Sequence, residues 1–152
     1  LGKTEEQFYC AIASSFMLSA DNAHAVHPHI PQKTDATNCV YMNEGIVVKS
    51  HAGQKYTSDA VSVAVFKDLC KKANVPVQFF ANRSDEAGGS TLGNIAMAQV
   101  SMNSVDIGLP QLAMHSTYET AGIKDTYYMI QVMTEFFNCH ISEVNSHSLK
   151  VD

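Results

Sequence analysis

Basic residues are scarce: ten Lys and Arg stand against fifteen Asp and Glu, for a formal net charge of −5. No basic patch is available to neutralise phosphates, so nucleic acid is not among the expected partners. Long hydrophobic runs are also missing, and none approaches the ~20 apolar residues that a membrane span needs. No signal peptide precedes the globular pattern, which makes the cytoplasm the expected setting. Cysteine is sparse, and Cys10, Cys39, Cys70 and Cys139 show no Cys-x-x-Cys spacing. That excludes a zinc-finger frame and a disulfide-dense scaffold. Nothing near these thiols resembles an activating base, so a cysteine nucleophile is not expected. Charged residues reach only 16% against 45% hydrophobic, which points to a compact domain with faces buried against further partners.

What is present reads as strands alternating with helices. Phe16 to Ala20, Ile46 to Ser50, Val77 to Phe80 and Val105 to Gly108 are short apolar runs expected as strands, the first of them buried. A helix is expected from about Asp59 to Lys72, capped by Ser58 or Thr57, with Val61, Val65, Phe66, Leu69 and Cys70 on one face. The default reading of Cys70 there is a reduced core thiol. A second helix is expected from about Asp125 to Phe137, where Met129, Val132, Met133, Phe136 and Phe137 repeat at helical spacing. Near the start, Phe8, Ala11 and Ile12 also fall at helical spacing, with Glu5 and Glu6 in a solvated first turn that suits the helix dipole. Asp35 to Gly45 is turn-forming and aperiodic, hence a connecting loop. The pattern predicts one α/β unit over 1–152, a largely parallel sheet covered by helices on both faces. Sites in such sheets gather at the carboxyl ends of strands, where Asp21 and the loop holding His115 would fall.

Ser19-Ala20-Asp21-Asn22-Ala23-His24-Ala25-Val26-His27-Pro28 puts a carboxylate and two imidazoles into one short turn after an apolar run. A carboxylate is a hard oxygen ligand, and a neutral imidazole can bind a metal or donate to a developing oxyanion. Taken alone, the same residues also suit a turn or a solvated surface. Gly88-Gly89-Ser90-Thr91 has the small residues that let backbone N–H groups approach an anion at a helix start, but it lacks the Lys of a phosphate-binding loop.

The Ser19 to Pro28 string, Ile46 to Lys49 with Lys55-Tyr56-Thr57, Gly88 to Gly93, and Asp106 to Ser116 with its Pro-Gln-Leu-Ala-Met-His-Ser run resemble, in this order, the second half of the M18 metallo-aminopeptidases, the aspartyl aminopeptidase family. The resemblance covers about Phe16 to Phe137. It implies the C-terminal half of a zinc-exopeptidase (phosphorylase/hydrolase-like) catalytic domain. By resemblance Asp21 and His115 are zinc ligands, His24 touches substrate beside the metals, and Lys49 and Tyr56 line the substrate pocket. It implies two zinc or other divalent ions in a complete site, peptide substrates with an acidic first residue read by Lys49, and a homo-oligomer. The glycine stretch becomes a wall of the substrate site, and Glu119 orients His115.

The chain also departs from that family. None of its seven histidines has Asp two positions later, so the His-x-Asp motif, whose aspartate bridges both metals, is missing. Glu5-Glu6 is followed by Gln7-Phe8-Tyr9, not by Gly-Ser, so the general base is missing too. The upstream part of the same polypeptide is expected to supply both, and Leu1 in place of Met fits a piece of a longer chain. Two other readings stay open: a catalytically silent oligomerisation or interaction unit, and a closed single-metal site made by Asp21, His24, His27 and His115. His27 is expected to support a ligand or touch a dimer partner. His29, His51, His140 and His147 are expected at the surface, and Asn138 to Asp152 carries no functional reading.

Overall fold

The computed structural model describes residues 2–145 and 148–152. His147 lies outside the described residues. Helix α1 (Glu5–Ala13) opens on a capping box, in which the Thr4 hydroxyl accepts from the Gln7 N–H and the Gln7 side chain accepts from the Thr4 N–H. Glu5 and Glu6 lie in its exposed first turn, as expected.

The main sheet contains β1 (Phe16–Ala20), β3 (Ile46–Ser50), β4 (Val77–Ala81) and β5 (Asn103–Gly108), and β2 (Ala23–His24) belongs to a smaller sheet. The strand order is β1-β5-β3-β4. Pairs β1/β5 and β3/β4 are parallel, and β5 meets β3 antiparallel through Val47 opposite Gly108 and Val48 opposite Ile107. The sheet is therefore largely parallel, as expected, with one antiparallel joint at its centre.

The period of two sorts its faces. Ile46, Val48, Val105 and Ile107 point one way and pack with Val65, Phe66, Leu69 and Cys70 of α2 (Ala60–Lys72) and Val132 of α4 (Ile123–Asn138). Each large apolar side chain buried there contributes about 1.5–3 kcal/mol of transfer free energy. Val47 and Phe80 point the other way and meet Ala23, Val40 and Tyr56. Ile46-Val47-Val48 is continuously apolar because both faces are covered. α3 (Leu92–Gln99) lies against β1 and β5.

Four expectations are corrected. Phe16–Ala20 is an edge strand with Ser19 its one buried residue. α2 is capped by Asp59 in a capping box with Ser62, while Thr57 and Ser58 spend their groups on Asp106. On α4, Phe137 leaves the apolar face and is 77% exposed; at 3.6 residues per turn it falls on a separate exposed stripe with Ile123, Tyr127 and Ile130. His51 is half-buried, edge-on to Tyr56. The tail forms a hairpin of β8 (Ile141–Asn145) and β9 (Ser148–Val151), with Leu149 and Val151 against the core and the Lys72 Nζ donating to the Val151 carbonyl. Among the described residues no helix is long and apolar enough to cross a membrane.

Candidate active-site groove

A groove of about 460 Å³ opens on the face opposite α2 and α4. Asp21, His24, His27, Lys49, Tyr56 and His115 all line it, with the Gly89-Ser90-Thr91 stretch on its wall. Residues spread over the chain thus converge on one cavity. Asp21 follows β1 directly, and its N–H donates to the Ile107 carbonyl, so the exposed carboxylate stands at the carboxyl end of the β1/β5 pair. Gly108 makes this approach possible: a Cβ there would sit 1.8 Å from the Asp21 carbonyl oxygen.

His24 lies on β2, which pairs in parallel with β6 (Pro110–Leu112) and sets His24 beside Gln111. β6 then pairs antiparallel with β7 (Thr120–Ala121). Between them the chain turns through Ala113 and His115, both non-glycine residues at positive φ (56° and 67°), a costly conformation for an L-residue that clusters at functional sites. Glu119 holds the turn by accepting from the His115 backbone N–H, so it fixes the loop rather than the ring.

Lys49 reaches the groove from the sheet face, one step beyond the Val48/Ile107 pair, so the antiparallel joint sets it beside Asp106. It is 2% exposed; its Nζ donates to the Asn22 carbonyl at 3.4 Å and lies 5.2 Å from the Tyr56 ring centre. Burial lowers its pKa, and the carboxylates of Asp21 and Asp106 oppose that shift. Burial also raises the Tyr56 pKa, helped by the same two carboxylates. His24 is held below the usual imidazole range by desolvation first, then by His115 and Lys49, so its neutral form prevails near pH 7. The Tyr56 hydroxyl is 3.4 Å from Asn82 Oδ1.

Asp106 was not singled out from the sequence, and the structure makes it central. It is fully buried, and its carboxylate accepts from Ser19 Oγ at 2.6 Å, the Thr57 N–H at 2.7 Å and Thr57 Oγ1 at 3.0 Å. It ties β1 to the segment that carries Tyr56. A carboxylate inside the alternating Val105-Asp106-Ile107 run was the available signal.

Asp21 and His115 offer a carboxylate oxygen and an imidazole nitrogen on one groove, donor types that zinc takes. Among the described residues, however, no group of three or more His, Cys, Asp or Glu side chains could hold a metal ion. Asp21, His24, His27 and His115 thus share the lining of the groove without grouping as a metal cluster among the described residues. His27 is half-buried on the groove wall, its Nδ1 accepting from the His29 N–H.

The fold has close counterparts among known proteins. Residues 1–137 match the family of aminopeptidase I zinc metalloproteases, M18. A probable M18 family aminopeptidase 2 of Clostridium novyi (strain NT) is 51% identical over 138 residues, 91% of this chain and 32% of that protein. Among solved structures, the chain aligns with the cryo-EM structure of the Ape4 and Nbr1 complex at a TM-score of 0.87 and 37% identity, covering 90% of this chain and 26% of that one. It aligns with the mApe1 dodecamer of S. cerevisiae at 0.75 and 26% identity, covering 85% and 28%. The chain belongs to the M18 family of zinc metalloproteases. It spans about a third of the length of the curated relatives it matches.

Proposed function

We propose that these 152 residues are one α/β unit of the catalytic domain of a two-zinc aminopeptidase that removes N-terminal, preferentially acidic, residues from peptides. The observation that carries this reading is the convergence of Asp21, His24, His115 and a buried Lys49 on one groove. Asp21 and His115 are each a ligand, and the upstream part of the polypeptide supplies the remaining ligands and the general base. Bound zinc would polarise the peptide carbonyl and lower the pKa of a water. His24, neutral near pH 7, donates its N–H to the carbonyl oxygen as charge develops there. The buried Lys49 ammonium donates to the Asn22 carbonyl and, with three N–H groups, keeps donors for an acidic side chain, with Tyr56 packed against it. A homo-oligomer is part of the proposal, supported by likeness to a protein that forms a dodecamer. So is a cytoplasmic setting, which suits four unpaired cysteines.

A second reading, a catalytically silent assembly unit, draws support from the absence of a His-x-Asp motif in the sequence. The deciding experiment is zinc-dependent release of N-terminal Asp, Glu and Leu from short peptides by the complete polypeptide, beside its His115→Ala variant. Cleavage lost in the variant is expected. No cleavage by a zinc-loaded wild type would sink the peptidase reading in favour of the silent one.

A further inference from the structure

Among the described residues, two buried side-chain polar atoms lack a hydrogen-bond partner, Thr91 Oγ1 and Gln111 Nε2. Both residues line the same groove. Buried polar groups are nearly always paired, because leaving one unmade forfeits its hydration with nothing in return. Two such atoms on the wall of one cavity indicate that the cavity's occupant completes them. Gln111 is the more informative of the two. It is 3% exposed, so little water reaches it. Its Nε2 is donor-only, which restricts the partner to an acceptor. Its position is fixed on both sides by the pairings with His24 and Ala121. Directly paired positions on neighbouring strands project from the same face about 4.8 Å apart, so the Gln111 amide rises beside His24.

Building on the peptidase reading, we propose that Gln111 is a substrate-binding residue whose side-chain N–H donates to a backbone carbonyl oxygen of the bound peptide. The donor is neutral, and the groove already holds a buried cation, Lys49, to meet a carboxylate. It lies next to His24, which the peptidase reading sets at the carbonyl of the bond to be cut. Every peptide carries that carbonyl, so the contribution of Gln111 is independent of the first residue.

Gln111→Met in the complete zinc-loaded polypeptide tests this, since Met keeps the length and bulk of the side chain and removes the donor. If the amide is unpaired in the folded protein, an apolar replacement leaves Tm unchanged or raises it. The expected result is that Tm, with kcat/KM for peptides starting with Asp, Glu and Leu falling together by about 10-fold. Three results would overturn the inference: kcat/KM within about twofold of wild type, a loss confined to the acidic peptides, or a fall in Tm showing that the amide is paired inside the protein. If wild type releases no residue, the peptidase reading fails separately, and isothermal titration with the same peptides decides. There Gln111→Met is expected to weaken binding about 10-fold, and equal affinity, or no binding by either protein, overturns the inference.

Discussion

Replacing Asp106 by Asn tests whether the groove is held together by one buried carboxylate. Asp106 accepts three hydrogen bonds, from Ser19 Oγ at 2.6 Å and from the Thr57 N–H and Oγ1 at 2.7 and 3.0 Å. Asn retains one oxygen, best turned toward Thr57, and presents its NH₂ to the Ser19 hydroxyl, which can rotate to accept. The two Thr57 bonds then lose their charge assistance, about 1 kcal/mol each, since bonds to ions are worth ~1.5–3 kcal/mol against ~1 for neutral ones. The Ser19 hydroxyl must also find a new acceptor, while relief of carboxylate burial offsets part of the loss. The expected net destabilisation is about 2 kcal/mol, a fall of about 1 M in the urea midpoint if m is near 2 kcal/mol/M. Asp106→Ala should cost more, about 3 kcal/mol or above, because it strands the Thr57 N–H and leaves a cavity. Urea unfolding of both variants at pH 7 with an unchanged m-value measures this. An Asn variant within about 0.5 kcal/mol of wild type, or an Ala variant no worse than Asn, would refute the reasoning.

Lys49→Met in the complete polypeptide should lower the ratio of kcat/KM for Asp- over Leu-starting peptides by about tenfold or more; an unchanged ratio would remove Lys49 as the reader of acidic residues. Gly108→Ala would set a Cβ 1.8 Å from the Asp21 carbonyl oxygen. It should force β1 from β5 at a cost of about 3 kcal/mol or more, read as a drop in Tm with loss of activity, and a fully stable variant would show that this approach is not constrained. Burial pushes the Cys70 thiol up to about 12 from an ordinary value near 9, so between those values the unfolded chain has released a proton that the folded one keeps. That stabilisation is complete below pH 9 and is lost as pH rises toward 12, by up to about 4 kcal/mol. Urea midpoints should therefore fall less between pH 9 and 11 in Cys70→Ala than in wild type, and parallel curves would contradict it.

Periodicity carried much of this fold. The α2 face of Val65, Phe66, Leu69 and Cys70 and all four main strands were legible because burial imposes the 3.6 and 2 repeats directly. The antiparallel joint of β5 with β3 was not, since a run covered on both faces reads the same in either direction. β2, β6 and β7 are two or three residues long, too short to carry a period. Asp21 and His24 were marked by their carboxylate–imidazole cluster and Lys49 and His115 by motif resemblance, while their gathering on one groove needed three dimensions.

Asp106 shows why the rest stayed hidden. Along β5, Val105 and Ile107 alternate with Ser104 and Asp106, and such alternation ordinarily marks one face as core and the other as solvent. Here Ser104 and Asp106 are 3% and 0% exposed, so the polar face is buried as well. What separates a solvated polar face from a satisfied buried one is the arrival of donors from elsewhere. For Asp106 they come from Thr57 and Ser19, 49 and 87 residues away along the chain, distances that no local pattern spans. The same holds for Gln111, with one difference that makes it the sharper probe. Its buried Nε2 has no partner among the described residues, so what completes it must come from outside them, and the peptide that the groove is proposed to bind has the carbonyl oxygen to do so.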